Sequence, residues 1–117
     1  MQLEDLVHAI SRGDLIAARE WVADAHRAGI EWATLERPID LSENDLAIAA
    51  GLAELLATRD GAALPSWTGT VTGLREPLLL DPGLDEMPRS LARAKSFGPE
   101  PLRRRNLIAL PDFLKIA

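Results

Sequence analysis

Apolar residues at Leu3, Leu6, Val7 and Ile10 recur at the three- and four-residue spacing that lines one side of a helix. Ser11-Arg12-Gly13 stops that pattern. Asp14 then suits the cap of a second helix, because its carboxylate can accept the unpaired N–H groups of a first turn. Leu15, Ala18, Trp21, Val22 and Ala25 carry the stripe on to Ala28, where Gly29 supplies the left-handed residue that ends many helices. The two elements predict an αα-hairpin, with Arg19, Glu20, Asp24 and Arg27 turned to solvent.

The stretch Ile30–Leu41 has no sustained period and holds Pro38, whose fixed φ and missing N–H argue against helix, so it reads as a packed connector. Ser42-Glu43-Asn44-Asp45 has the S-x-x-D form of a capping signature and opens a helix from Glu43 to about Arg59, closed by Asp60-Gly61. Leu46–Ala50 and Leu52, Ala53, Leu55 and Leu56 leave this helix almost no polar face, which predicts burial on most sides. Gly51 in its middle costs about 1 kcal/mol relative to Ala. That cost is more easily accepted where another backbone or an aromatic ring packs closely against it.

From Ala62 onward, Pro65, Pro77, Pro82, Pro88, Pro99, Pro101 and Pro111, with Gly69, Gly73 and Gly83, interrupt every candidate element. Pro65-Ser66-Trp67-Thr68 suggests one helical turn. Pro77–Leu80 reads as an extended apolar segment ended by an Asp81-Pro82-Gly83 turn. Pro88 suits the first position of a helix reaching about Lys95, and Pro101 that of a turn over Leu102–Arg105 before an extended Leu107–Leu110. The expected fold is mainly α: an N-terminal αα-hairpin plus a buried central helix, with an irregular Pro-rich C-terminal half packed on it. One domain over 1–117 is expected, with a helical core at 1–61 and a short-helix half at 62–117.

Composition sharpens this picture. The 117 residues are 47% hydrophobic, enough for one core, and the apolar residues are mostly Ala and Leu, with two Phe, three Trp and no Tyr, a bias toward helix over sandwich. No cysteine is present, which removes disulfides, thiolate metal ligands and thiol nucleophiles. The start lacks the basic and apolar regions of a secretory signal, and the longest apolar stretch, Leu46–Ala53, is too short to span a membrane, so the expected compartment is the cytoplasm. Net charge is −5, unevenly spread: residues 1–86 carry 6 basic and 16 acidic side chains, residues 87–117 carry 7 basic and 2 acidic. The plain expectation is a basic tail packed back on an acidic body.

The sequence holds no recognised catalytic constellation. His8 and His26 fall on different predicted helices with no H-x-x-x-H spacing, no G-x-S-x-G or S-x-x-K surrounds a serine, and Thr68–Gly73 lacks the lysine of a phosphate-binding loop. No metal or cofactor is expected. The strongest local charge feature is Arg103-Arg104-Arg105, since guanidinium forks bind phosphate or carboxylate in bidentate fashion and Arg89, Arg93 and Lys95 lie nearby in sequence, with only Phe97 and Phe113 as flanking aromatic residues. Its alternatives are a nucleic-acid contact or pairing with the acidic first half. Trp67 is either an interface anchor or a core residue, with core favoured in so aromatic-poor a chain.

Ala49-Ala50-Gly51-Leu52-Ala53-Glu54-Leu55-Leu56, Pro65-Ser66-Trp67-Thr68, Glu76–Leu80, Glu100-Pro101-Leu102-Arg103-Arg104-Arg105-Asn106 and Pro111-Asp112-Phe113-Leu114 together resemble a family of small uncharacterised bacterial proteins. The likeness spans residues 45–115 in order and spacing, departs at Leu110, where the pattern accepts a second proline, and is looser in the N-terminal hairpin. It supplies no activity. Members of that family accompany a nucleotidyltransferase-like protein, so the resemblance implies a protein-binding or antitoxin-like role. The rivals are a nucleic-acid-binding protein using Arg103–Arg105, and a hydrolase or metal enzyme using His8 or His26. The binding residues singled out are Arg103, Arg104, Arg105 and Trp67.

Overall fold

A computed structural model describes residues 2–115. The first two helices form where the apolar stripes place them: α1 is Leu3–Ser11 and α2 is Leu15–Ala28. Asp14 caps α2 by accepting from Ala17 N at 3.0 Å, and Gly29 ends it at φ 66°. The stripe turns inward as expected, with Ala18, Trp21, Val22 and Ala25 buried and Leu15 half-buried.

Helix α3, Glu43–Arg59, is the central element, and every residue from Ala47 to Ala57 is buried. Ser42 accepts from Asp45 N at 3.1 Å. Asp45 does not return the bond in the manner of a capping box; its Oδ1 accepts from Ser11 Oγ at 2.7 Å, tying the end of α1 to the start of α3. At Gly51 a Cβ would lie 2.8 Å from Leu102 Cδ2 and 3.3 Å from Leu107 Cδ1. The missing side chain is what lets the C-terminal half close on α3.

The connector Ile30–Leu41 is anchored by Trp32, which is buried, makes a tilted contact with Trp21 at 6.3 Å between ring centroids, and donates to Asp60 Oδ2 at 2.7 Å. In the C-terminal half, the helical turn expected at Pro65–Thr68 lies slightly later, as a 3-10 turn over Thr68–Thr70. The two extended segments become β1, Leu78–Leu79, and β2, Leu107–Ile108. They pair in parallel with Leu78 opposite Leu107 and Leu79 opposite Ile108. Between them run a 3-10 turn at Leu84–Glu86, α4 at Pro88–Phe97 and α5 at Glu100–Arg103. Both helices start at or next to a proline, whose absent N–H costs nothing there.

This is a mainly α globule in which α1 packs on α3 and so, in the proline-punctuated half, do the Thr68–Thr70 turn and α5. One hydrophobic cluster runs from Leu3, Leu6 and Val7 through Ile48 and Leu52 to Leu102, Leu107 and Phe113. A smaller cluster of Leu84, Ala94 and Ile108 seats α4 at the periphery. The radius of gyration of 13.2 Å matches the ~13 Å expected of a folded chain this long, so the irregular half is a coat and not an extension. Among the described residues no helix is long and apolar enough to cross a membrane.

Gly73 is a close backbone approach between loop and tail, since a Cβ there would sit 2.6 Å from Arg105 Cα and 2.9 Å from its carbonyl carbon. Gly73→Ala is therefore expected to lower stability by ~1–3 kcal/mol through forced displacement. The cap deletion Asp14→Ala should cost ~1 kcal/mol. Urea unfolding of the two variants checks both the loss and its order.

Candidate functional site

Three consecutive residues at a helix end diverge by about 100° each, so an arginine run in sequence is not a patch in space. Arg103, Arg104 and Arg105 take three directions. Arg103 is exposed and donates from Nη1 to Ser96 O at 2.7 Å, satisfying a carbonyl in the last turns of α4. Arg104 lies at the surface with its guanidinium on Glu54 Oε1, and a second carboxylate, Glu100, at 3.9 Å. Arg105 is only 3% exposed, its fork gripping Glu54 from Nη1 to Oε1 at 2.6 Å and from Nη2 to Oε2 at 3.1 Å.

The same guanidinium donates to Pro101 O at 3.0 Å and to Thr68 O at 2.9 Å. It thereby links α3, the start of α5 and the Thr68–Thr70 turn. Glu54 is 2% exposed. Burial pushes its carboxyl pKa up, but the bonds from Arg105 and the Thr68 hydroxyl and the charges of Arg105 and Arg104 outweigh burial, and the group is held below the usual glutamate range. A carboxylate facing two guanidinium groups stays ionised in the interior. Arg105 Nε is the one buried side-chain polar atom without a partner among the described residues.

Arg104 and Arg105 are thus committed to Glu54. Trp67 is half-buried against the main cluster and donates from Nε1 to Leu35 O at 2.9 Å, fastening the loop after α3 to the connector. Arg105 is bonded to the Pro65–Thr70 segment that carries Trp67, and of these four residues Arg103 and Arg104 are the exposed ones. Other contacts fix the tail through its backbone: half-buried Arg59 donates to Pro111 O and Phe113 O, and Asp81 Oδ2 accepts from Leu110 N at 2.8 Å. Burial lowers the Arg59 pKa, against the opposing charge of Asp112, and burial raises that of Asp81, against the bond from Leu110.

The histidines are separate. His8 is exposed on α1, and His26 lies at the end of α2 with Nδ1 3.8 Å from Asp60 Oδ1. His26, Asp60, Arg59 and Lys115 rim a cavity of about 420 Å³ whose walls include Val22, Trp32, Leu56 and Leu114. Among the described residues no serine or threonine lines it. Among the described residues no three His, Asp or Glu side chains cluster as a metal site.

Arg89, Arg93 and Lys95, basic neighbours of the Arg103–Arg105 run in sequence, sit on α4. Ser90, Leu91 and Ala94 turn inward, which leaves Arg89, Arg93 and Phe97 at i, i+4 and i+8 along one exposed edge. Phe97 is 72% exposed and Met87, just before the helix, 42%. Glu54 is not singled out by the sequence patterns above. Its signal was one acid inside Ala47–Ala57, where every helical face is apolar, upstream of a tail with surplus arginine. Comparison with protein families, curated proteins and solved structures finds no match to this chain, so the resemblance of residues 45–115 rests on its motifs alone.

Removing the carboxylate strands a charged Arg105 in the interior, so Glu54→Gln is expected to cost ~3–5 kcal/mol, whereas Glu54→Leu combined with Arg105→Met should cost far less than the Gln variant. Equilibrium denaturation at neutral pH tests both. Because Glu54 binds its proton less tightly folded than unfolded, its contribution is complete at neutral pH and disappears as pH falls from the ordinary glutamate range through the lowered folded value. Asp81, raised in the folded state, works in the opposite sense. The double variant should show a shallower loss of stability on acidification than the wild type, measured as urea midpoints against pH.

Proposed function

We propose that the protein is a non-catalytic cytoplasmic protein-binding module, an antitoxin-like companion of another protein. The observation that carries this reading is the division of its surface. The arginines best suited to bind phosphate are spent on Glu54, while the large apolar side chains of Met87 and Phe97 stand in solvent. Exposed Phe and Met beside Arg are the residue types enriched where proteins meet. The likeness of residues 45–115 to proteins that accompany a nucleotidyltransferase-like partner supports a companion of that class.

The nucleic-acid alternative depended on Arg103–Arg105 acting as one basic cluster. With Arg105 buried and Arg104 on Glu54, that run offers Arg103 alone as an uncompensated cation, too little for the multiple phosphate contacts that sustain binding.

Tagged protein purified from its native cells at moderate salt is expected to carry a companion protein in fixed stoichiometry, identified by mass spectrometry and retained on size-exclusion chromatography. A nucleotidyltransferase-like companion would establish the partner class. Protein that emerges alone, or with nucleic acid shown by the absorbance ratio, refutes the reading.

A further inference from the structure

Helix α4 has no carboxylate of its own and three cations, Arg89, Arg93 and Lys95. Among the described residues none of the three takes part in an ion pair or a side-chain hydrogen bond, in contrast to Arg104 and Arg105. Arg89, Arg93 and Phe97 succeed one another at four-residue steps, so the edge they form extends ~12 Å at 1.5 Å per residue. Met87 lies at one end of it. At the other, Arg103 reaches Ser96 O and adds a further exposed cation beside Phe97. A charged stripe is ordinarily a solvated helix face. What distinguishes this one is an aromatic ring 72% exposed within it, on a helix seated only by the small Leu84, Ala94 and Ile108 cluster.

Resting on the protein-binding reading above, we propose that the Arg89–Arg93–Phe97 face of α4, with Met87 and Arg103, is the docking surface for an acidic amphipathic helix of the partner protein. Its carboxylates pair with the arginines and its apolar side chains cover Phe97 and Met87. Charge complementarity selects this occupant. Arginine, an aromatic ring and methionine are the combination that concentrates binding energy in protein interfaces. A long polyanion is disfavoured by the chain as a whole, whose residues 1–86 hold 16 acidic side chains against 6 basic ones. A segment no longer than the ~12 Å stripe needs only the cations on it.

The test places a photo-crosslinking phenylalanine analogue at position 97 of the full chain in its native cells, with the same analogue at position 39 as the control. The expected product is a crosslink at 97, absent at 39, to a peptide of the companion protein with clear acidic excess. With that purified companion as probe, Arg89→Glu combined with Arg93→Glu should weaken binding at least 100-fold, and Phe97→Ala about 10-fold or more. Ile39→Ser should bind as the wild type does. Circular dichroism and thermal melting of each variant establish that the fold is kept, and Arg93→Gln gives a milder variant should the double reversal unfold. A stable complex unaffected by the α4 changes overturns the docking surface while leaving the protein-binding reading intact; no companion at all overturns both. A crosslink to nucleic acid, or to a second copy of this chain, overturns the acidic partner as occupant.

Discussion

The pairing of Glu54 with Arg105 is the contact on which the arrangement of the two halves depends. Glu54 belongs to the central helix and Arg105 to the turn after α5, fifty-one residues apart in sequence. No disulfide or metal ligand of cysteine type is available to close so long a loop. Instead a single guanidinium spreads four bonds over the carboxylate, Pro101 O and Thr68 O, so that helix, helix start and loop are registered against one another at one point. Gly73 and Gly51 have their place in the same scheme. The first lets a loop backbone pass against Arg105 Cα, and the second lets Leu102 and Leu107 sit on α3.

Hydrophobic burial still supplies most of the stabilisation, as it does in any domain of this size. The ionic pair contributes less to the total than to the choice among packings. An irregular half rich in proline has few backbone ladders to set its register: two strands of two residues, one short helix and one helix of ten. Apolar side chains alone would tolerate several ways of laying such a chain over α3. A buried carboxylate tolerates very few, because any arrangement that separates it from Arg105 leaves two charges in a poorly polar interior.

Local signals made the helical half legible. Asp14, Gly29 and Ser42 mark helix ends through bonds within three or four residues, so α2 and α3 can be read to their termini from the chain itself. The extended character of Pro77–Leu80 and Leu107–Leu110 was equally readable, but their parallel pairing was not, since two-residue strands carry no register signal of their own. Trp32 was hidden for the opposite reason: the connector has no period, and its anchor is fixed by bonds and contacts to Asp60 and Trp21, neither of which is local. Charge asymmetry between body and tail was visible. That the body answers two of the tail's arginines with one buried carboxylate was visible only in space.

The contrast between the two arginine sets follows from helix geometry. Adjacent residues at the end of α5 splay around the axis, so Arg103, Arg104 and Arg105 divide among a backbone carbonyl, a half-exposed pair and a buried fork. Arg89 and Arg93, four apart and in sequence only neighbours of the longer run, stand side by side on α4 with Phe97 continuing their line. A contiguous run therefore overstates the positive surface around α5, and a spaced set understates it around α4. On α4 the spaced set brings charge and apolar surface together, and that coincidence is what a second protein can recognise.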